Sequence, residues 1–380
     1  MPPRELIAGV IGATAGILGG VLIGRGLSST PASTPSPTAP SGGAGSMFTS
    51  APHPALRHGM PLAQNLRMFK QYVTSFDSRT RNPQWVLEHV SKSTSRGDGD
   101  RQGSKFFEDQ DIPVRLRNRL DDFKGSGYDR GHLAPAANHG GSQEAMNETF
   151  SLSNMSPQVG KGFNRSYWAR FEKFVRDLTR ECDDVYVVTG PLYLPSKTRN
   201  GWTLSHPMIG QPPSMVAVPT HFFKVVLAEY DGEQGKKAQA LGAFVIPNAE
   251  IDGRIPLSTW IVPVEDLEAA AGMQFFTSFL TPCRRHALAE AEHVVLDQLG
   301  RAGAPSKLLT DGTTVVSKPK KGSNTVAIRA SPRGPGTEVL HLCERARCEL
   351  VSEDWAKHFN SDNPPPQVDS DSSVVIDEDV

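Results

Sequence analysis

The sequence predicts an α+β domain, and three observations carry that prediction. Apolar, β-branched runs recur between turn residues, amphipathic helical stretches lie among them, and the two do not alternate as steady βαβ units. The segment YVTSFDSRTRNPQWVLEHV (72–90) reads as two short strands about a polar Asp-Ser-Arg-Thr-Arg-Asn-Pro turn. In RSYWARFEKFVRDLTRE (165–181), Tyr167, Phe171, Phe174 and Leu178 recur at helical spacing, so one face of a helix is apolar. VYVVTGPLYL (185–194), HFFKVVLAEY (221–230) and ALGAFVIPN (240–248) read as strands. VEDLEAAAGMQFFTSFL (264–280) and HALAEAEHVVLDQLG (286–300) read as helices.

The flanks differ in character. Residues 6–24 carry no charge over nineteen positions. As a helix they would span roughly 28 Å, close to the hydrocarbon thickness of a bilayer. Gly12, Gly16, Gly20 and Gly24 form a small-residue stripe of the kind that lets membrane helices approach. Residues 1–27 are therefore read as a membrane anchor or targeting segment. Residues 28–54 are a tether, since 28–46 contain only Ser, Thr, Pro, Ala and Gly and offer nothing to bury. The folded domain is assigned to 55–303. Residues 304–380, acidic at the end and proline-led, are expected to be largely without order, apart from a small helix near SEDWAKHF.

The formal charge of −1 marks no global polyanion binder, but it hides an asymmetry. Residues 160–180 hold six Lys/Arg against Glu172 and Asp177, whereas residues from Ala304 onward hold nine basic and twelve acidic groups. The four cysteines, Cys182, Cys283, Cys343 and Cys348, follow no disulfide rhythm and are expected to be reduced. His341 with Cys343 and Cys348 lacks a fourth ligand for zinc.

The chemistry centres on YDRGHLAPAANH (128–139). His132 can act as a base near neutral pH, and Gly131 permits a tight or left-handed backbone just before it. No nucleophilic partner stands beside it. Thirty-two residues later, Asn164 precedes the amphipathic helix. It can cap that helix, or its amide oxygen can ligate a hard cation such as Mg²⁺.

Taken together, YDRGHLAPAANH, SNMSPQ (153–158) and FNRSYWARFE (163–172) resemble the DNA/RNA non-specific endonuclease family, in its mitochondrial endonuclease G branch. The resemblance covers roughly residues 55–300. It implies a ββα-metal (His-Me finger) fold with a central, mainly antiparallel sheet flanked by helices. It also implies an Mg²⁺-dependent endonuclease, with Mn²⁺ as an alternative ion, that cuts DNA and RNA to 5′-phosphate ends. Residue by residue, it makes His132 the general base and Asn164 the direct metal ligand. Glu172 would hold metal-bound water, Arg130 and Arg176 would contact phosphate, and Asn154 would line the substrate site. Asp129 and His139 are read as structural and bystander residues. In a straight helix Glu172 would lie about 12 Å along the axis from Asn164, so shared coordination requires Asn164 off the helix or a bend. An i,i+4 ion pair of Glu172 with Arg176 is the alternative role for that arginine. Trp168 and Phe171 are read as core residues.

The branch likeness further implies a homodimer and a mitochondrial enzyme, anchored in the inner membrane by residues 6–24 and facing the intermembrane space. A secreted nuclease is the alternative location. The sequons at Asn147, Asn154 and Asn164 argue against it, because a glycan on Asn164 would block the metal position. A catalytically silent nucleic-acid-binding scaffold is the alternative from another functional class.

Overall fold

The computed structural model describes residues 64–232, 236–301, 309, 339–346, 348 and 350. The expected anchor, the tether and the helix near SEDWAKHF lie outside these residues. Among the described residues, no helix is long and apolar enough to cross a membrane.

Eight strands form the central sheet: Gln64–Met68 (β1), Tyr72–Asp77 (β2), Asn82–Val90 (β3), Asp184–Leu192 (β6), His221–Asp231 (β11), Lys237–Pro247 (β12), Ile261–Val262 (β13) and Val339–His341 (β14). The order is β1-β2-β3-β6-β11-β12-β13, and β14 joins β12 in parallel. The predicted strands at 72–90, 185–194, 221–230 and 240–248 are all present, each extended or trimmed by a few residues. Strands β6, β11 and β12 are buried on both faces, which is why they read as continuous apolar runs rather than alternating ones.

Beside this sheet stands a separate two-stranded finger, Asp129–His132 (β4) paired antiparallel with Met155–Gln158 (β5), so that His132 faces Met155. Two further small ladders follow β6: Ser196–Thr198 (β7) with Gly201–Thr203 (β8), and Met208–Ile209 (β9) with Val216–Ala217 (β10). Helices Lys92–Ser95 (α1), Leu120–Phe123 (α2) and Gln143–Glu148 (α3) are short. Ala169–Leu178 (α4), Val264–Ala271 (α5) and Pro282–Gln298 (α6) are the main ones.

Several expectations are corrected. The helix read over 165–181 ends at Leu178 and starts earlier than expected, because a wide π-helical segment, Gly160–Trp168, leads into α4. Within that segment Lys161, which is extended, and Gly162, with a φ of 76°, break the helical geometry. The helix read over 264–280 stops at Ala271, because Gly272 adopts the left-handed C-cap conformation (φ 67°). The region after residue 304 also contributes order. Strand β14 lies along β12 and runs into a one-turn helix, Leu342–Arg345 (α7), whose Leu342 is fully buried. Nor are all four cysteines reduced. Cys343 and Cys348 form a disulfide, while Cys182 and Cys283 are free.

Trp168, Phe171 and Phe163 are fully buried and pack with Phe222 and Phe244 of the sheet, confirming Trp168 and Phe171 as core. That packing fixes α4 against β11 and β12, and so fixes where Glu172 and Arg176 point from.

Candidate active site

The finger delivers His132. Gly131 has no positive φ, so the expected left-handed backbone is not its reason for being there. A Cβ at that position would lie 2.1 Å from the Gln158 side chain across the ladder, and only glycine permits so close an approach. The His132 ring is buried, edge-on to Phe150 at 4.8 Å and 5.7 Å from Phe106. Its pKa is held well below 6.5 by burial, with Arg101 and His139 adding to the effect. The imidazole is therefore neutral at neutral pH, and its Nε2 has no protein partner. A neutral ring with one nitrogen uncommitted is equipped to take a proton.

Asn164 sits in the π-helical segment before α4, where its backbone N–H bonds to the Val159 carbonyl at 2.9 Å. It does not cap the helix; the cap position is Trp168, with no side-chain bond. Instead its Nδ2 donates to Asp129 Oδ2 at 2.8 Å, and Arg165 clamps the same carboxylate through Nε at 2.8 Å and through Nη2. Asp129 lies three residues before His132 on β4, so the finger that carries the base also fixes Asn164. The structural role read for Asp129 is confirmed. With the amide nitrogen tied to a carboxylate, the amide oxygen is the end turned to other partners. Asn164 follows the break at Lys161 and Gly162 and lies in helical backbone that continues into α4.

Glu172, on α4, is strongly desolvated, which pushes its carboxyl up to about 7 against the pull of Lys224 and Arg176. Arg101 exerts its charge on both Glu172 and His132, linking the two. Arg130 lays its guanidinium over the Phe106 ring at 4.6 Å, and that ring also neighbours His132. Arg176 donates from Nη1 to Asn138 Oδ1 at 3.2 Å, while the i,i+4 ion pair on α4 is Lys173 with Asp177 at 2.6 Å.

Asn154 does not fit a substrate contact. It is fully buried, with Oδ1 accepting from Ala134 N (2.9 Å) and Nδ2 donating to the Ala134 and Thr149 carbonyls (2.9 and 2.8 Å). It clamps the backbone just past His132. His139 is also no bystander: it is fully buried between Gln71 (3.0 Å) and Glu88 (3.2 Å).

Arg101, Lys224, Glu88 and Asn138 escaped the sequence reading. Lys224 bonds to Thr189 Oγ1 at 2.8 Å and to the Leu133 carbonyl at 3.3 Å, with its ammonium 4.7 Å from the Trp168 ring. A lysine inside HFFKVVLAEY and a glutamate inside WVLEHV were the available signals, since charge in a buried strand requires partners.

A neutral histidine on a two-stranded finger, an asparagine held by the same finger and a glutamate on the following helix define a ββα-metal nuclease fold. Residues 51–281 match the pattern of DNA/RNA non-specific endonucleases, and the chain belongs to that family. It is 49% identical over 209 residues to "Nuclease 1, mitochondrial" of Schizosaccharomyces pombe, covering 54% of this chain and 64% of that protein. It is 44% identical over 225 residues to "Endonuclease G, mitochondrial" of Homo sapiens, covering 59% of this chain and 73% of that protein. A crystal structure of EndoG, solved as an EndoG/EndoGI complex, aligns with a TM-score of 0.54 at 39% identity, covering 61% of this chain and 95% of that one. The match thus spans just under two thirds of the Schizosaccharomyces pombe relative's length.

Proposed function

We propose that this chain is a metal-dependent endonuclease that hydrolyses phosphodiester bonds of DNA and RNA. The observation that carries the reading is the pairing on one finger of a neutral His132, with Nε2 uncommitted, and an Asp129 that fixes Asn164. His132 accepts a proton from an attacking water as the water oxygen bonds to phosphorus, and the P–O3′ bond breaks; the 3′ oxygen takes a proton from solvent, leaving a 3′-hydroxyl and a 5′-phosphate. Arg130 and Arg176 offer charge to the phosphate oxygens. No base is read in these steps, so indifference to sequence follows.

The donor set suits Mg²⁺ or Mn²⁺. Asn164 presents a neutral amide oxygen, Glu172 would hold metal-bound water, and no group of three or more His, Cys, Asp or Glu among the described residues forms a soft-metal cage. When bound, such an ion supplies positive charge for the phosphate in the transition state. The mitochondrial names of the relatives support a mitochondrial location. The anchor at 6–24 would place the enzyme at the inner membrane, facing the intermembrane space, as a homodimer. Digestion of plasmid DNA and of RNA by the full chain with Mg²⁺, abolished by EDTA, is the expected result; cleavage that persists in EDTA refutes the metal dependence. Carbonate extraction of isolated mitochondria tests the anchor, which requires the protein to stay with the membrane pellet.

A further inference from the structure

Behind Arg176 lies a chain of buried polar groups that the proposed reaction does not itself use. Glu88, on β3 in the centre of the sheet, is buried. Its Oε2 accepts from Asn138 Nδ2 at 2.9 Å and from His139 Nε2 at 3.2 Å. Asn138 Oδ1 in turn accepts from Arg176 Nη1 at 3.2 Å. His139 is held on its far side by Gln71 at 3.0 Å.

Two features separate this chain from ordinary core polarity. First, the Asn138 amide has one permitted orientation, because a guanidinium only donates and a carboxylate only accepts. Arg176, Asn138 and Glu88 are thereby locked in series from α4 to the sheet. Second, Glu88 Oε1 is buried without a partner. A half-satisfied buried carboxylate is less favourable than an apolar residue of the same volume, so stability alone does not account for it. Lys224, Arg176 and Glu172 surround the same carboxylate, from β11 and α4.

We propose that Glu88 is a positioning residue that aims the Arg176 guanidinium at the substrate phosphate through Asn138, with His139 and Gln71 bracing the carboxylate. The inference rests on the nuclease reading above. It assigns Glu88 no contact with substrate; its effect on turnover runs through Arg176.

A double-mutant cycle on the full chain tests this, using kcat and KM for a short oligonucleotide with Mg²⁺ and thermal melting to confirm folding. Glu88→Gln is expected to lower kcat about 10-fold and leave KM within about 2-fold, because the aim of a transition-state contact is lost rather than uniform binding. In an Arg176→Ala background the same substitution should cost less than about 2-fold, since its route of action is gone. An equal loss in both backgrounds, or no loss at all, overturns the relay. If Glu88→Gln does not fold, Asn138→Ala replaces it in the cycle, with the same expectation and the same overturning result. An inactive but folded wild type refutes the nuclease reading itself, whereas an active wild type with an additive cycle refutes only the relay.

Discussion

At the residue scale, the environment of His132 sets its chemistry more than its neighbours in sequence do. Burial and the nearby Arg101 and His139 favour the neutral ring. The imidazole should therefore titrate below pH 6.5 when followed by NMR, and a midpoint at or above that value would contradict the account. Asn154 makes the opposite case. Its three bonds to the Ala134 and Thr149 backbone predict that Asn154→Ala destabilises the fold by about 1–3 kcal/mol for the groups left unpaired. The KM of the surviving enzyme should be unchanged; a raised KM at unaltered stability would return Asn154 to the substrate site. His132, Asn164 and Asp129 were legible because they stand in motifs. The duties of Asn154 and His139 were not, because they depend on bonds to segments distant in sequence.

At the scale of elements, strands β2, β3, β6, β11 and β12 were legible, since β-branched runs between turn residues leave little alternative. The π-helical geometry of Gly160–Trp168 was not, because the spacing of Tyr167 and Phe171 reads the same in a regular α-helix. Strand β14 was hidden for a different reason: VLH is too short to show a period, and its place beside β12 is a tertiary fact. Val339 and Leu342 are fully buried there, and Cys348 O accepts from Ser258 N at 3.3 Å. A chain ending at residue 303 should consequently melt well below the full chain, by the roughly 1.5–3 kcal/mol of each lost apolar side chain. Equal melting temperatures would show that β14 contributes nothing to the fold.

At the scale of the whole molecule, the sheet is a rigid floor on which the finger and α4 are mounted, and acid–base balance affects its stability as well as its chemistry. Glu292, buried on α6, accepts the Val264 N–H at 2.9 Å, and its carboxyl is pushed up to about 8 by burial, with Glu265, Asp266 and Glu268 adding repulsion. A folded-state value above the unfolded value of 4.5 means that the folded chain binds the extra proton. This contribution to stability is full below about 4.5, declines as pH rises, and is lost through about 8. Glu292→Gln should flatten that part of the stability–pH profile, as read by denaturant titration; an unchanged slope would exclude Glu292 as its source.

The central claim is that His132 as base and Asn164 as metal holder support hydrolysis by water, without a nucleophilic side chain. Supercoiled plasmid incubated with Mg²⁺ and the folded full chain, beside His132→Ala and Asn164→Ala, tests it most directly. The account predicts nicking by the wild type and a loss of about 10²–10⁴-fold when the base is removed. A comparable loss is predicted for Asn164→Ala, and substantial cleavage surviving in both variants would contradict the account.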